Sequence, residues 1–222
     1  QAPVQTIFSA PGKTAITVAE AEFRQHVGPV DLLLAGPPCQ GHSDLNNFSR
    51  RNDPRNQLYA FVARAALVFS PKAIIIENVQ GLPHDKSGVL DFTISYLEWL
   101  GYHVVCRLID TAQIGVAQRR RRHVLLATRT PLVAIDDHLD RFRAETRTAK
   151  WAMGDLIDHP ELSIFDQPSK PSKDNLRRME YLFAQGLYDL PNSERPPCHR
   201  DRHQTYTSVY GRMHWDRPAQ TP

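Results

Sequence analysis

The chain is poor in cysteine, lacks long apolar runs and is close to electrical balance. Each shortage removes a class of protein. Three cysteines, Cys39, Cys106 and Cys198, occur in 222 residues, with no C-x-x-C pair among them. An odd count without paired spacing excludes a disulfide framework or a zinc ribbon and fits a reducing, intracellular setting. No apolar run approaches the roughly 18 residues that a membrane span requires, so no membrane partner is expected. The opening "QAPVQTIFSA" has neither an initiator Met nor the basic-then-apolar layout of a secretion signal, and the chain reads as a piece of something longer. Internal repeats and low-complexity tracts are also missing. Net charge is only +3, so the clustering of charge matters more than its total. What remains is a composition of 41% hydrophobic and 23% charged residues, which suits a soluble, globular chain of one large domain or two small ones.

Hydrophobic patterning organises the first 130 residues. Val30 to Ala35, "VDLLLA", is an apolar run stopped by Gly-Pro-Pro, the pattern of a fully buried strand. Gln57 to Phe69 repeats its apolar residues at helical spacing, and Pro71 stops it. "KAIIIENV" supplies a second buried strand over Ala73–Ile76, ending on Glu77. Val89 to Leu100 is a helix with an apolar stripe capped by Gly101, and "YHVVCRLID" and "RRHVLLATR" are two more strands. This alternation predicts an α/β layer fold with a largely parallel sheet. After about Thr130 prolines become frequent and strands vanish, leaving a helix near Leu176–Leu187 and a basic, proline-rich stretch at 191–203. A domain boundary is expected near residue 130, within about ten residues, giving units 1–130 and 131–222.

Chemistry gathers at the strand ends, where open α/β sheets bind their ligands. The first strand runs into Pro37-Pro38-Cys39-Gln40, the second ends at Glu77-Asn78, and the last is preceded by Gln118 and the arginines 119–122. The two prolines cannot continue a ladder and stiffen the loop after them, which aims the Cys39 thiol; a thiolate so held suits nucleophilic attack. Singly, each feature has a plainer reading. A cysteine after a strand is commonly a small core residue, Glu-Asn a turn, and an arginine run a solvated face. Jointly, at successive strand ends, they place a thiol, a carboxylate and guanidinium groups at one sheet edge.

"GPPCQGHS" at 36–43, "ENV" at 77–79 and "QRRRR" at 118–122 resemble, in order and spacing, the motifs of the C5-cytosine DNA methyltransferases, bacterial type, and "DPRNQLY" at 53–59 agrees. The tail "YTSVYGRMHWDRPAQTP" is similar to the end of that family's target-recognition region. The resemblance covers essentially the whole chain. It implies an α/β fold: a partial Rossmann-like class I methyltransferase sheet with helices on both faces, followed by a smaller irregular target-recognition region. It also implies transfer of a methyl group from S-adenosylmethionine to C5 of a cytosine flipped out of double-stranded DNA. Cys39 is then the nucleophile at C6, and Glu77 protonates or hydrogen-bonds ring N3, a role suited to a carboxylate in an enclosed pocket. Arg120 and Arg122 hold the base O2 or nearby backbone. Pro38, Asn78 and Gln118 support the site, with Asn78 bracing the Cys39 loop. Pro38 and Leu58 touch the cofactor, and Gln40, Ser43, Arg200, Arg202 and Arg212 contact DNA. The setting implied is the prokaryotic cytoplasm and nucleoid, in restriction-modification.

Two departures accompany the resemblance. The family's opening Phe-x-Gly-x-Gly loop for S-adenosylmethionine and its closing segment are not in this sequence. The chain is therefore expected to be inactive alone, or active only with complementary N- and C-terminal segments of the same enzyme. A DNA-binding remnant without catalysis, and an RNA cytosine-5 methyltransferase of the same fold, stand as alternatives. The length of the 131–222 segment favours DNA, since base reading needs surface. Cys198, His199 and His203 are too few and too adjacent for zinc, so no metal is expected. Cys106, alternating with apolar neighbours, is expected in the core.

Overall fold

The structure, a computed structural model, describes residues 3–38, 54–131, 135–157, 169–201 and 210–220. In chain order its elements are α1 (Val4–Ile7), α2 (Val18–Val27), β1 (Leu32–Ala35), α3 (Ala60–Phe69), β2 (Ala73–Val79), α4 (Val89–Trp99), β3 (His103–Asp110), β4 (Gln118–Arg119), β5 (Arg121–Thr128), α5 (Ile135–Asp140), α6 (Ala149–Met153), α7 (Lys173–Ala184) and β6 (Ala219–Gln220). A 3-10 turn, Pro54–Tyr59, leads into α3. The chain divides into two compact units: one of residues 1–109 with 121–141, the other of 110–120 with 142–222.

In the first unit the sheet order is β1-β2-β5-β3. β1 pairs with β2 in parallel, Ala35 opposite Ile76, whereas β2 pairs with β5 antiparallel over seven positions from Ala73–Thr128 to Val79–Arg122. The sheet thus contains an antiparallel strand, β5, which patterning did not reveal. The cause lies in the connection: only 111–120 separates β3 from β5, too short for the crossover that a parallel return needs. β1 also departs from expectation. Leu32 and Leu34 are exposed, at 48% and 65%, while Leu33 and Ala35 turn inward, so the strand is buried on one face only.

Ile74, Ile76, Leu125 and Ala127 alternate along β2 and β5, all wholly buried, and meet Ala63 and Ala66 of α3 and Leu97 of α4. Each of the larger side chains stabilises the fold by about 1.5–3 kcal/mol. Cys106 packs against this cluster, half-buried, as its apolar setting suggests. A second cluster joins Ala65 and Val68 of α3 to Phe8 and Phe23, whose rings meet edge to face at 6.2 Å. α4 closes with Gly101 at φ +82, Gly101 N–H donating to Glu98 O and Tyr102 N–H to Leu97 O, a left-handed cap that a Cβ would strain.

α2 opens on a capping box, Thr17-x-x-Glu20, that the apolar patterning does not mark. Glu20 N–H donates to Thr17 Oγ1 and Thr17 N–H to Glu20 Oε2. Glu20 has a larger task. It is fully buried, and Arg64 of α3 grips it through Nε at 2.8 Å and Nη2 at 2.5 Å. The remaining Arg64 donors bond the carbonyls of Lys13 and Ala15, while Tyr96 of α4 donates to Lys13 O as well. The segment before α2 is therefore clasped to α3 and α4 by one guanidinium and one phenol.

In the second unit, β4 and β6 pair in parallel, Gln118 opposite Ala219 and Arg119 opposite Gln220. Backbone bonds stitch this short sheet to its surroundings: Thr111 N–H to Arg120 O, Ala149 N–H to Arg217 O, Lys150 N–H to Trp215 O and Arg212 N–H to Tyr188 O. Leu182 of α7 and Leu190 are the buried anchors of this segment.

Removing one partner of a buried ion pair strands the other charge. Glu20→Ala is expected to cost about 3–5 kcal/mol, read by urea denaturation at neutral pH, with Glu20→Ala/Arg64→Met recovering part of the loss. The Arg64 guanidinium holds the Glu20 carboxyl well below its ordinary value of 4.5. Its contribution is present above that value and is lost as pH falls beneath it, so acid should destabilise the native chain more than the double variant.

Candidate active site

Parallel pairing puts the carboxyl ends of β1 and β2 side by side, and antiparallel pairing brings the amino end of β5 to the same edge. Glu77, Asn78 and Arg122 thus meet beside Gly36-Pro37-Pro38. β2 runs on to Val79, two residues past the Glu77 at which the sequence reading ended it, so Glu77 and Asn78 are both strand residues and their side chains leave on opposite faces.

On one face Glu77 Oε1 meets Arg122 Nε at 2.7 Å, a diagonal pair across β2 and β5. Arg122 is mostly covered, at 16%, and also donates through Nη1 to Arg121 O. Glu77 is 49% exposed rather than enclosed, because its face of the sheet is uncovered at the strand end among the described residues. Gly36 comes close to it: a Cβ there would stand 3.9 Å from Glu77 Oε2. On the other face Asn78 is only 1% exposed. Its Nδ2 donates to Pro37 O at 3.3 Å and its Oδ1 accepts from Val79 N–H at 2.8 Å. One amide therefore ties the end of β2 to the proline turn that precedes Cys39.

The remaining sequence-predicted residues distribute plainly. Pro38 is exposed at the end of β1 and Leu58 half-buried in the 3-10 turn. Gln118 and Arg120 belong to the second unit, where the Gln118 carbonyl accepts from Thr111 Oγ1 and the Arg120 carbonyl from Thr111 N–H. Arg200 and Arg212 belong there too. Arg200 Nε donates to Arg195 O at 2.8 Å, and Arg212 lies 4.2 Å over Phe183 and 4.9 Å over Tyr188, whose ring stacks on His214 at 3.6 Å. Cys39, Gln40, Ser43, Arg202 and His203 lie outside the described residues. No metal-holding group of His, Cys, Asp and Glu occurs among the described residues. No described helix is long and apolar enough to cross a membrane.

One residue at this edge escaped sequence reading. His123 stands directly opposite Asn78 and is 4% exposed. Burial lowers its pKa below the usual imidazole value, so the ring is held neutral. Its signal was the alternation of "RRHVLLAT", in which His123 shares the period-2 phase of Leu125 and Ala127.

An α/β sheet that gathers a Glu-Asn strand end, an arginine and a Pro-Pro turn at one edge is the Rossmann-like methyltransferase class, and the comparisons agree. Dnmt2 methyltransferase of S. pombe, a solved structure, matches with TM-score 0.51 at 19% identity, covering 76% of this chain and 49% of that one. The type II methyltransferase M1.BsuMI of Bacillus subtilis is 44% identical over 93% of this chain and 48% of its own length. The type II methyltransferase M1.HphI of Haemophilus parahaemolyticus is 30% identical over 91% and 55%. The C-5 cytosine-specific DNA methylase family model matches residues 7–219, and the chain belongs to that family. It spans about half the length of these curated relatives.

The two faces of the strand end should respond differently to truncation. Arg122→Ala removes a partly exposed pair and is expected to change stability by less than about 1 kcal/mol. Asn78→Ala leaves buried backbone groups unpaired and should cost about 1–3 kcal/mol. Chemical denaturation of the two variants measures the order.

Proposed function

We propose that this chain supplies the catalytic and target-recognition parts of a DNA (cytosine-5) methyltransferase. The observation that carries the reading is the joint placement of the Glu77–Arg122 pair and the Asn78–Pro37 bond, two residues before Cys39. In this reading the Cys39 thiolate adds to C6 of a cytosine turned out of duplex DNA, and Glu77 provides the proton or hydrogen bond at N3 that the addition needs. C5 becomes nucleophilic and takes the methyl group; loss of the C5 proton then expels Cys39 and restores the ring. Arg122 keeps the Glu77 carboxylate aimed, and Arg120 supports charge at O2. Asn78 fixes the backbone from which Cys39 projects.

S-adenosylmethionine, when bound, supplies the methyl group on its sulfonium. The exposed ring of Pro38 and the partly exposed Leu58 offer apolar surface of the kind an adenine or methionyl chain packs on, and in that respect fit it. Residues 131–222 form the target-recognition region in this reading. Arg200, Arg202 and Arg212 contact DNA there, and Gln40 and Ser43 contact it from the loop after Cys39. The phosphate contacts make binding fall steeply with salt.

Trapping on duplex DNA containing 5-fluorocytosine is the direct test, because the fluorine cannot leave as a proton does. In the full-length protein, Cys39→Ala is expected to abolish both the adduct and methyl transfer, whereas Cys106→Ala and Cys198→Ala retain them. Arg120→Ala should reduce turnover about 100-fold or more while DNA affinity changes only a few-fold. An adduct mapping to Cys106 or Cys198 refutes the assignment. Methylation of tRNA in preference to duplex DNA moves the substrate to RNA.

A further inference from the structure

Asn78 and His123 each have a polar group left over, and the two leftovers are complementary. A primary amide carries two N–H donors and one oxygen. In Asn78 the oxygen accepts from Val79 and one N–H reaches Pro37 O, which leaves the second N–H without a partner among the described residues. His123 Nδ1 is fully buried and has no hydrogen-bond partner among the described residues. An orphaned ring nitrogen in a site this closed costs about 1–3 kcal/mol unless something satisfies it. The two residues are direct cross-strand partners, both buried, in the phase of β2 and β5 that faces the α3–α4 core. Side chains so opposed start about 4.5–5.5 Å apart at Cβ, within reach of a direct bond after a small rotation or of one bridging water.

We infer that His123 is a positioning residue for the Pro37–Pro38 turn: its Nδ1 accepts the spare N–H of Asn78, directly or through one water, and thereby holds the amide in the orientation that grips the Pro37 carbonyl. The chain of bonds runs from His123 through Asn78 to the turn. It rests on the proposed reaction only for what that turn carries, Cys39. It requires the neutral tautomer with its proton on Nε2; protonation would set an N–H against an N–H and release the amide. The other titratable groups of the same core carry no charge to this place. Burial keeps Tyr59 and Cys106 protonated and so uncharged, and the Tyr96 hydroxyl is engaged with Lys13 O; the Tyr59 hydroxyl, buried without a partner among the described residues, is the rival donor, and the Asn78→Ala comparison below separates it from the amide. Glu77 and Arg122 bond each other on the opposite face.

The test has two arms. Nitrogen-15 NMR of the histidine rings in this 222-residue chain reads the tautomer and the state of Nδ1. The expected result is a neutral Nε2–H ring at neutral pH whose Nδ1 signal is displaced by hydrogen bonding, with the displacement lost in Asn78→Ala. An Nδ1–H tautomer, or an Nδ1 signal indifferent to Asn78→Ala, overturns the inference. In the full-length protein, His123→Leu is expected to lower kcat about tenfold with KM for DNA and cofactor unchanged within about twofold, and His123→Asn, which keeps an acceptor, to recover to within about threefold of the parent. A folded Leu variant with full turnover, or losses confined to KM, also overturns it. Should the Leu variant fail to fold, the tautomer in the unaltered chain still decides. Should the parent protein methylate no cytosine, the functional reading fails while the NMR arm stands on its own.

Discussion

The seven-position antiparallel register between β2 and β5 is the constraint on which the site depends. It sets Asn78 opposite His123 on the core face and Glu77 diagonal to Arg122 on the open face. Side chains alternate along a strand with a period of two, so a slip by one residue would exchange those faces. Glu77 would enter an apolar core and Asn78 would lose the Pro37 carbonyl. Ile74, Ile76, Leu125 and Ala127 prevent the slip, since each would move from a wholly buried position to the opposite side. The same apolar side chains that stabilise the sheet therefore determine which polar groups meet at its edge.

Two ion pairs in this unit show how placement decides what a charge does. Arg64 and Glu20 are both removed from water, and every bond they make is internal, so the pair acts as a clasp between the segment before α2 and the helices beneath it. Its partners are mutually necessary: either alone is an uncompensated buried charge. Arg122 and Glu77 are nearly as close, but the carboxylate is 49% exposed, and such a pair is expected to contribute little to stability. Arg122 fixes one carboxylate oxygen, Oε1, while Oε2, beside Gly36, has no hydrogen-bond partner among the described residues.

The second unit uses its arginines differently again. Arg212 spreads over Phe183 and Tyr188, and Arg200 ties back to the Arg195 carbonyl. Among its described residues buried apolar anchors are few, and backbone bonds between distant segments and stacked rings join the unit. An arginine that stacks through its flat face still presents N–H groups at its rim, so a structural task and a contact with phosphate are compatible.

The elements of the first unit were legible because their signals are local. Apolar runs, a left-handed glycine after α4 and helical spacing each act within a few residues, and β2, α4, β3 and β5 fall within a few residues of where patterning put them. The motif residues were legible for the same reason, being contiguous in sequence. Four things were decided only in three dimensions. The direction of β5, which lies between β2 and β3 and runs antiparallel to β2, depends on the length of a connection and on which strands it joins, neither of which patterning reveals. Burial of β1 depends on what covers each face, and Leu32 and Leu34 are uncovered. Glu20 and Arg64 lie 44 residues apart and look, in sequence, like two ordinary surface charges; only packing makes them a buried pair. His123, one more residue in a basic run on paper, becomes the neighbour of Asn78 through a register spanning 45 residues of chain, because the phase of a strand has no meaning until its partner is known.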